Sequence, residues 1–313
     1  MESVTFTIVT PVYNRKDCIG RCIESVVNQN YNDIEYWIVD DGSTDGTTQV
    51  IERYAQQYSY IKHHKFNRNR GVNAARNYGI QHSSNDFVIF LDSDDYLISE
   101  ALRTIQQTIL TYPEYRHYLF AQNDRITYYN QHPFLKEQKT EVSFADFLSG
   151  TVTGDFMHVM EASLVKCFPF NEYLRTYEEL QFLSIFKAGK KQFFLNEILV
   201  NRERNRSDSV TKEYHLKNKE SILKQYIFLK EKLSLFENDY KQLQNQNILS
   251  NLIKRIFILG LALGKYKENR LIKHKANNMN IQFPFIFRMI EQFRLGFLLR
   301  NTIFAYSFIK NLV

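Results

Sequence analysis

The sequence predicts an α/β fold: a mainly parallel sheet flanked by helices, with a C-terminal helical extension. Three observations predict it. Strand and helix periodicities alternate over roughly the first hundred residues, three polar clusters close the strand-like runs, and beyond Asn205 the pattern turns helical and basic.

Taken in order, Thr5 to Val9 is short, β-branched and apolar, as a buried strand should be. Ile19, Cys22, Ile23, Val26 and Val27 then recur at helical spacing. Ile34 to Val39 reads as a second strand, and Thr47 to Tyr58 as a second helix with Asp45 as its cap. Tyr60 to Lys65 is a third strand, Asn73 to Gln81 a third helix, and Phe87 to Leu91 a buried strand. Residues 112–205 are less regular, with aromatic-rich strands, a polar excursion at Tyr129 to Thr140 and a helix near Thr176 to Lys187. Ile222 to Leu235, Asn247 to Leu263 and Phe285 to Leu312 carry apolar stripes on basic helices.

Composition narrows the class. Of the 313 residues, 44% are apolar and 24% charged, ordinary for a globular protein, and 11 Gly with 5 Pro exclude a collagenous or linker-rich chain. Three cysteines make no disulfide framework; Cys18 and Cys22, one helical turn apart, are expected to face the core. Met1 to Thr10 lacks the basic start of a signal peptide. The longest apolar run, Ile256 to Gly264, is far below the roughly 18–20 residues that span a bilayer, so a cytoplasmic protein is expected. The net charge of +6 is unevenly placed. Residues 206–313 hold 19 basic and 8 acidic residues (+11), and the remainder 21 and 26 (−5). Such asymmetry suggests a polyanionic partner for the tail.

In parallel sheets, ligands bind beyond the carboxyl ends of the strands. Thr10-Pro11-Val12-Tyr13-Asn14, Asp40-Asp41-Gly42-Ser43 and Asp92-Ser93-Asp94-Asp95 all fall there. The first of these turns has no glycine, which excludes the dinucleotide fingerprint G-x-G-x-x-G. Asp41, Ser43, Asp45, Gly46 and Glu52 mimic an EF-hand loop, but a strand precedes them where that motif needs a helix. The carboxylates from Asp92 to Asp95 repel one another unless a cation neutralises them, and hard oxygen ligands suit Mg²⁺ or Mn²⁺. Arg76 can reach phosphate or base edges, or pair with a nearby Asp.

Together these segments resemble the family 2 glycosyltransferases. The matching residues are Thr10-Pro11-Val12-Tyr13-Asn14, Val39-Asp40-Asp41-Gly42-Ser43-Thr44-Asp45, Asn69-x-Gly71-x-x-Ala74-Ala75-Arg76-Asn77-x-Gly79 and Leu91-Asp92-Ser93-Asp94-Asp95. The resemblance implies the GT-A fold, a Rossmann-like mainly parallel sheet. Residues 1–210 would be the catalytic domain, with 1–105 binding the nucleotide sugar and 106–210 the acceptor, and residues 211–313 a helical basic extension. It implies an inverting, metal-dependent transfer from a UDP-sugar to an acceptor hydroxyl, in the synthesis of a bacterial surface polysaccharide, lipooligosaccharide or lipid-linked glycan. Thr10, Pro11, Tyr13, Asp40, Asp41, Asn69, Arg76, Asp92 and Ser93 would bind the donor, and Asp94 would hold Mn²⁺ or Mg²⁺ in a DxD-type motif. The family's general base is the Asp of a Glu-Asp pair that starts a helix. Here Glu178-Glu179 stands in its place, so Glu179 matches the base, one methylene longer, with Glu178 as the alternative.

Two further segments are similar to family features. Gly154-Asp155-Phe156-Met157-His158 resembles the loop beneath the acceptor, giving Asp155 and His158 an acceptor role. Arg204 to Thr211 resembles a loop that closes over the pyrophosphate, with Arg206 and Ser209 as donors of hydrogen bonds. Both faintly resemble the branching glucosyltransferases of bacterial lipid-linked N-glycan assembly. The tail, interleaving Ile, Leu and Phe with Lys and Arg, suits either the anionic inner face of the cell membrane or a homo-oligomer interface. Two rival readings are a nucleotidyltransferase, which would need a Gly-rich triphosphate-gripping first loop, and a basic nucleic-acid-binding protein, for which no binding motif is present, so no nucleic-acid partner is expected.

Overall fold

A computed structural model describes residues 4–175, 177–203, 218–245 and 247–310, with side chains to residue 303. Two compact units divide the chain, residues 1–208 and 209–313.

The first unit begins with β1 (Phe6–Val12), α1 (Ile19–Val27), β2 (Ile34–Asp40), α2 (Thr47–Gln57), β3 (Ile61–Lys65), α3 (Val72–His82) and β4 (Phe87–Phe90). It continues with β5 (Tyr96–Leu97), α4 (Ala101–Thr111), β6 (His117–Gln122), α5 (Ile126–Gln131), β7 (Lys139–Ser143) and α6 (Phe144–Ser149). It closes with β8 (Met157–Glu161), α7 (Ala162–Val165), α8 (Glu179–Gly189) and β9 (Lys191–Asn201). The sheet order is β3-β2-β1-β4-β8-β6-β9-β5, with β7 also on β9. β3, β2, β1 and β4 are mutually parallel, as are β6 and β9; β8 joins the two sets antiparallel to both β4 and β6.

Every residue of β1 is buried, as a central strand covered on both faces requires. Its two threonines are satisfied inside the sheet: Thr7 donates to Glu35, and Thr10 shares a 3.0 Å hydrogen bond with the Tyr36 hydroxyl. On α1, Ile19, Cys22, Ile23 and Val26 point into the core at helical spacing, and Cys18 is buried beside them. α3 lies against β1 so closely that a Cβ on Gly79 would stand 2.4 Å from Val9 Cγ1. Only glycine permits that approach.

Asp45 is not the cap of α2. Gly46 occupies that position with φ +97°, and the Asp45 carboxylate reaches past it to the Thr47 N–H at 2.9 Å.

In the second unit, α9 (Lys219–Gln242), α10 (Asn247–Ala262), α11 (Tyr266–Asn278), α12 (Phe285–Gln292) and α13 (Gly296–Lys310) follow one another. The single amphipathic stretch expected from Phe285 onward is two helices. Arg294 turns the chain at φ +54°, and the Leu295 N–H closes α12 by donating to the Ile290 carbonyl at 2.9 Å. Gly296 then meets the end of α10, where a Cβ would overlap the Leu261 carbonyl oxygen at 1.9 Å. Helix α11 has no counterpart in the sequence reading, since its buried face consists only of Asn269, Ile272 and Ala276. No described helix is long and apolar enough to cross a membrane.

Candidate active site

Loops follow the carboxyl ends of β1, β2 and β4, and the residues between Asp40 and Thr48 tie the first two to the entry of α3. Asp40 is buried; it accepts from the Ser43 N–H at 2.8 Å and the Thr48 hydroxyl at 2.5 Å, which folds its own loop. Ser43 Oγ accepts from the Asn14 N–H at 2.9 Å, while Asn14 Oδ1 accepts from the Thr44 N–H at 2.9 Å. Asp41 accepts from the Arg70 and Gly71 N–H groups at 2.6 and 2.8 Å, tying down the entry to α3. Burial pushes its carboxyl upward against those two donors. Gly42, at φ +82°, passes the Arg68–Asn69 backbone with no room for a side chain, since a Cβ would lie 2.8 Å from the Arg68 carbonyl carbon.

Two residues expected to bind the donor have their side chains bonded within the fold. Thr10 is fully buried with its hydroxyl on Tyr36, and both Asp40 oxygens are consumed by the loop. Each builds the site from behind. Pro11 and Ser93 are buried, whereas Tyr13 (43% exposed) and Asn69 lie at the surface.

Arg76, also expected at the donor, is held by two carboxylates. Its guanidinium pairs with Asp92 at 3.0 Å through Nη2 and with Glu178 through Nη1, over the rings of Phe90 and Phe170. Burial opposes its charge, but the two carboxylates outweigh that and raise its pKa. In this arrangement it is a clamp between two carboxylates. The same helix holds the segment leading to Glu178. Asn77 donates to the Phe170 carbonyl at 2.8 Å and accepts from the Phe170 N–H at 2.7 Å. Asn73 donates to the Asn171 carbonyl at 2.9 Å, and Arg70 pairs with Glu172 at 3.0 Å. The Asn73-x-x-Arg76-Asn77 face of α3 therefore delivers the start of α8 to the carboxyl end of β4, where Glu179 is the first helical residue and exposed.

The carboxylates after β4 divide by environment. Asp92 is partly exposed on Arg76. Asp95 is buried 3.5 Å from the Arg202 guanidinium; burial first, then Asp92 and Asp94, push it up to about 8 despite Arg202. The loop thus crowds three carboxyl groups whose mutual repulsion a cation would relieve. Asp94 is half-buried, and its carbonyl accepts from Arg21 at 3.3 Å. A hard divalent cation fits this donor set in charge and chemistry. Among the described residues no three potential ligands gather, so such a cation would take further ligands from bound diphosphate and water.

Two residues missed in the sequence complete the wall. Arg202, just past β9, donates to Gln122 at 2.8 Å and Asp155 at 2.9 Å besides approaching Asp95. Arg21 pairs with Glu203 at 2.6 Å and stacks over Tyr96. Arg202 was findable, because it directly follows the mainly apolar stretch Phe193 to Asn201 at a strand's carboxyl end. Arg206 and Ser209 lie outside the described residues.

Of the two residues expected at the acceptor, Asp155 is exposed, whereas the His158 ring is packed within the fold. Its ring stacks on Phe182 at 4.3 Å, and its Nδ1 meets Nε2 of the fully buried His117 at 3.0 Å. It is a packing residue. Burial lowers His158 to about 3 and His117 well below the ordinary value, so both fold as neutral rings. A depressed histidine pKa gives stability present above the unfolded value and lost as pH falls. His158 alone should cost on the order of 2 kcal/mol at pH 5, relative to an unfolded value of about 6.5. Thermal melts should therefore fall from pH 7 to pH 5, with a shallower slope in His117→Phe/His158→Phe. Parallel slopes in the two proteins would refute this.

Comparison with known proteins agrees with this architecture. The family model described as "Glycosyl transferase family 2" matches residues 7–167. A GalNAc(5)-diNAcBac-PP-undecaprenol beta-1,3-glucosyltransferase of Campylobacter jejuni is 30% identical over 210 residues, 66% of each chain. A poly(ribitol-phosphate) beta-glucosyltransferase of Bacillus spizizenii is 38% identical over 99 residues, 31% of this chain and 16% of that one. The alignments thus span just under two thirds of the first relative and under a fifth of the second. Among solved structures, S. aureus TarS 1-349 in complex with UDP-GlcNAc superposes with a TM-score of 0.64 at 18% identity, covering 98% of this chain and 92% of that one. A mannosyltransferase of Pyrobaculum calidifontis, PcManGT with GDP-Man and Mn²⁺, superposes at 0.57 with 14% identity, over 96% and 87%.

Proposed function

Because this chain belongs to glycosyltransferase family 2 and has its GT-A fold, we propose that it transfers a sugar from a UDP-sugar to an acceptor hydroxyl with inversion, in a single displacement. The observation that carries this is the Arg76 clamp. One guanidinium binds Asp92 at the end of β4 and Glu178 at the head of α8, so the carboxylates suited to the donor stand beside the carboxylate suited to the acceptor.

In this reading Tyr13 and Asn69 bind the nucleotide, the surface they need being exposed, and Asp92 meets the ribose or the donor sugar. Asp94 would hold Mn²⁺ or Mg²⁺, which when bound neutralises the diphosphate leaving group. Glu179 takes the acceptor proton as the hydroxyl attacks the anomeric carbon from the face opposite the departing UDP. Arg76 positions Glu178, and through it the turn of α8 that bears Glu179.

The donor base rests on the UDP and UDP-GlcNAc complexes of the TarS neighbour; the mannosyltransferase neighbour carries GDP-Man. The acceptor class rests on the Campylobacter relative, whose name specifies a lipid-linked glycan. An acceptor on a lipid carrier would bring the basic extension to an anionic membrane surface on the cytoplasmic side. A donor screen for nucleotide release, across UDP- and GDP-sugars with Mn²⁺ or with EDTA, tests the reading. Release of UDP from at least one UDP-sugar, suppressed by EDTA, is expected. Release from GDP-sugars alone would overturn the donor assignment, and undiminished release in EDTA the metal.

A further inference from the structure

The second unit contains a cleft of about 720 Å³ lined by residues of α11, α12 and the turn after α12, among them Arg270, Lys273, Arg288, Glu291 and Arg294. Its charge is lopsided. Glu291 is the sole carboxylate of the lining, and it pairs with Lys273 at 2.6 Å. Arg288 and Arg294 rest only on the rings of Phe285 and Tyr266, and among the described residues no carboxylate pairs with Arg270, Arg288 or Arg294. Three exposed guanidiniums converging on one concavity repel each other unless an anion enters.

The rim supplies the second observation. Helix α12 buries none of its residues. Phe285, Ile286 and Phe293 are 67%, 59% and 58% exposed, and Phe297 and Leu298 of α13 are also exposed. At ~100° per residue, Phe285, Ile286 and the C-capping Phe293 share one arc of α12, and Arg288, Glu291 and Gln292 the adjoining arc. Apolar and cationic faces side by side are what a helix needs to lie in a bilayer interface, side chains in the acyl boundary and guanidiniums at headgroup depth.

We propose that this cleft binds the phosphate of an anionic lipid headgroup while Phe285, Ile286 and Phe293 enter the bilayer surface beside it. The inference rests on the membrane reading above and adds a defined site to it. The planar guanidiniums of Arg270 and Arg288 would grip phosphate oxygens by paired hydrogen bonds, which a diffuse field of lysines cannot do.

The test uses the full-length protein and phosphatidylcholine vesicles with and without phosphatidylglycerol. Wild type should co-sediment with the anionic vesicles only, and less at high salt. Arg270→Gln/Arg288→Gln should bind them at least about tenfold more weakly, roughly fivefold per arginine. Arg255→Gln/Lys267→Gln, which removes the same charge from exposed positions outside the cleft, should lose far less. Both substituted pairs are exposed, so melting temperature and UDP release without vesicles should match wild type. Equal losses in the two variants would overturn the cleft and leave the membrane reading standing. Absence of wild-type binding to either vesicle would overturn both. Inorganic phosphate that raises the melting temperature of wild type but not of Arg270→Gln/Arg288→Gln, with no vesicle binding, would assign the cleft to a soluble anion and overturn the lipid.

Discussion

Asp94→Ala should abolish transfer while leaving the melting temperature within a few degrees of wild type. The three carboxylates after β4 are not equivalent. Asp92 is committed to Arg76, and Asp95 is buried against Arg202, so removing either disturbs a charge network within the fold. Asp94 is anchored to Arg21 through its carbonyl oxygen, which survives truncation of the side chain. If its carboxylate holds the cation that neutralises departing diphosphate, several kcal/mol of transition-state stabilisation vanish with it, at least about 10³-fold in rate. Steady-state UDP release and a thermal melt on the same preparation measure both halves. Asp94→Asn keeps the shape and loses the charge, so it should be nearly as inactive. A variant retaining a tenth or more of wild-type turnover would move the metal to another residue or remove it from the reaction.

The second large effect concerns the base. Glu179→Gln should lower kcat by roughly 10²–10⁴-fold with the donor KM and the melting temperature nearly unchanged. Glu178→Gln should behave differently, because Glu178 is one of the two carboxylates on a guanidinium that is only 12% exposed. Its neutralisation leaves Arg76 with Asp92 alone. A charge-assisted hydrogen bond of this kind contributes about 1.5–3 kcal/mol, so the variant should melt earlier and lose activity through misplacement of α8. Measured side by side, one variant loses chemistry and the other loses stability. If Glu178→Gln carries the larger kcat loss at unchanged stability, the base is Glu178 and the clamp opens during turnover.

Much of the catalytic half is legible in the sequence, because the signals are local. The apolar runs at Phe6 to Val9 and Phe87 to Phe90 and the helical spacing of Ile19, Cys22, Ile23 and Val26 repeat within a few residues, and each period has one structural solution. Strand-end polar clusters follow from the same alternation, which is why Asp41, Asp92 and Asp94 could be singled out by position and type, whereas Glu179 came from the family resemblance. Where the signal weakens, the reading weakens with it. Helix α11 buries too few apolar side chains to show a stripe, and the break at Arg294 has no glycine or proline to announce it.

By itself the sequence determined the α/β class, the position of the acidic loops and the contrast between an acidic α/β unit and a basic helical one. Tertiary structure alone decided which partner each side chain meets. Arg76 could have served phosphate or carboxylate. Its two partners lie 16 and 102 residues away, and that pairing follows from α3 packing against β1 through Gly79 and holding residues 170–174 through Asn73 and Asn77. Thr10, Asp40 and His158 carry the chemistry of ligand-binding groups, yet they are spent on Tyr36, on the Ser43–Thr48 loop and on His117. The physical reason is that a buried polar group must be satisfied by whichever partner the fold brings within about 3 Å, and proximity across a hundred residues is a property of packing that periodicity and residue type do not encode.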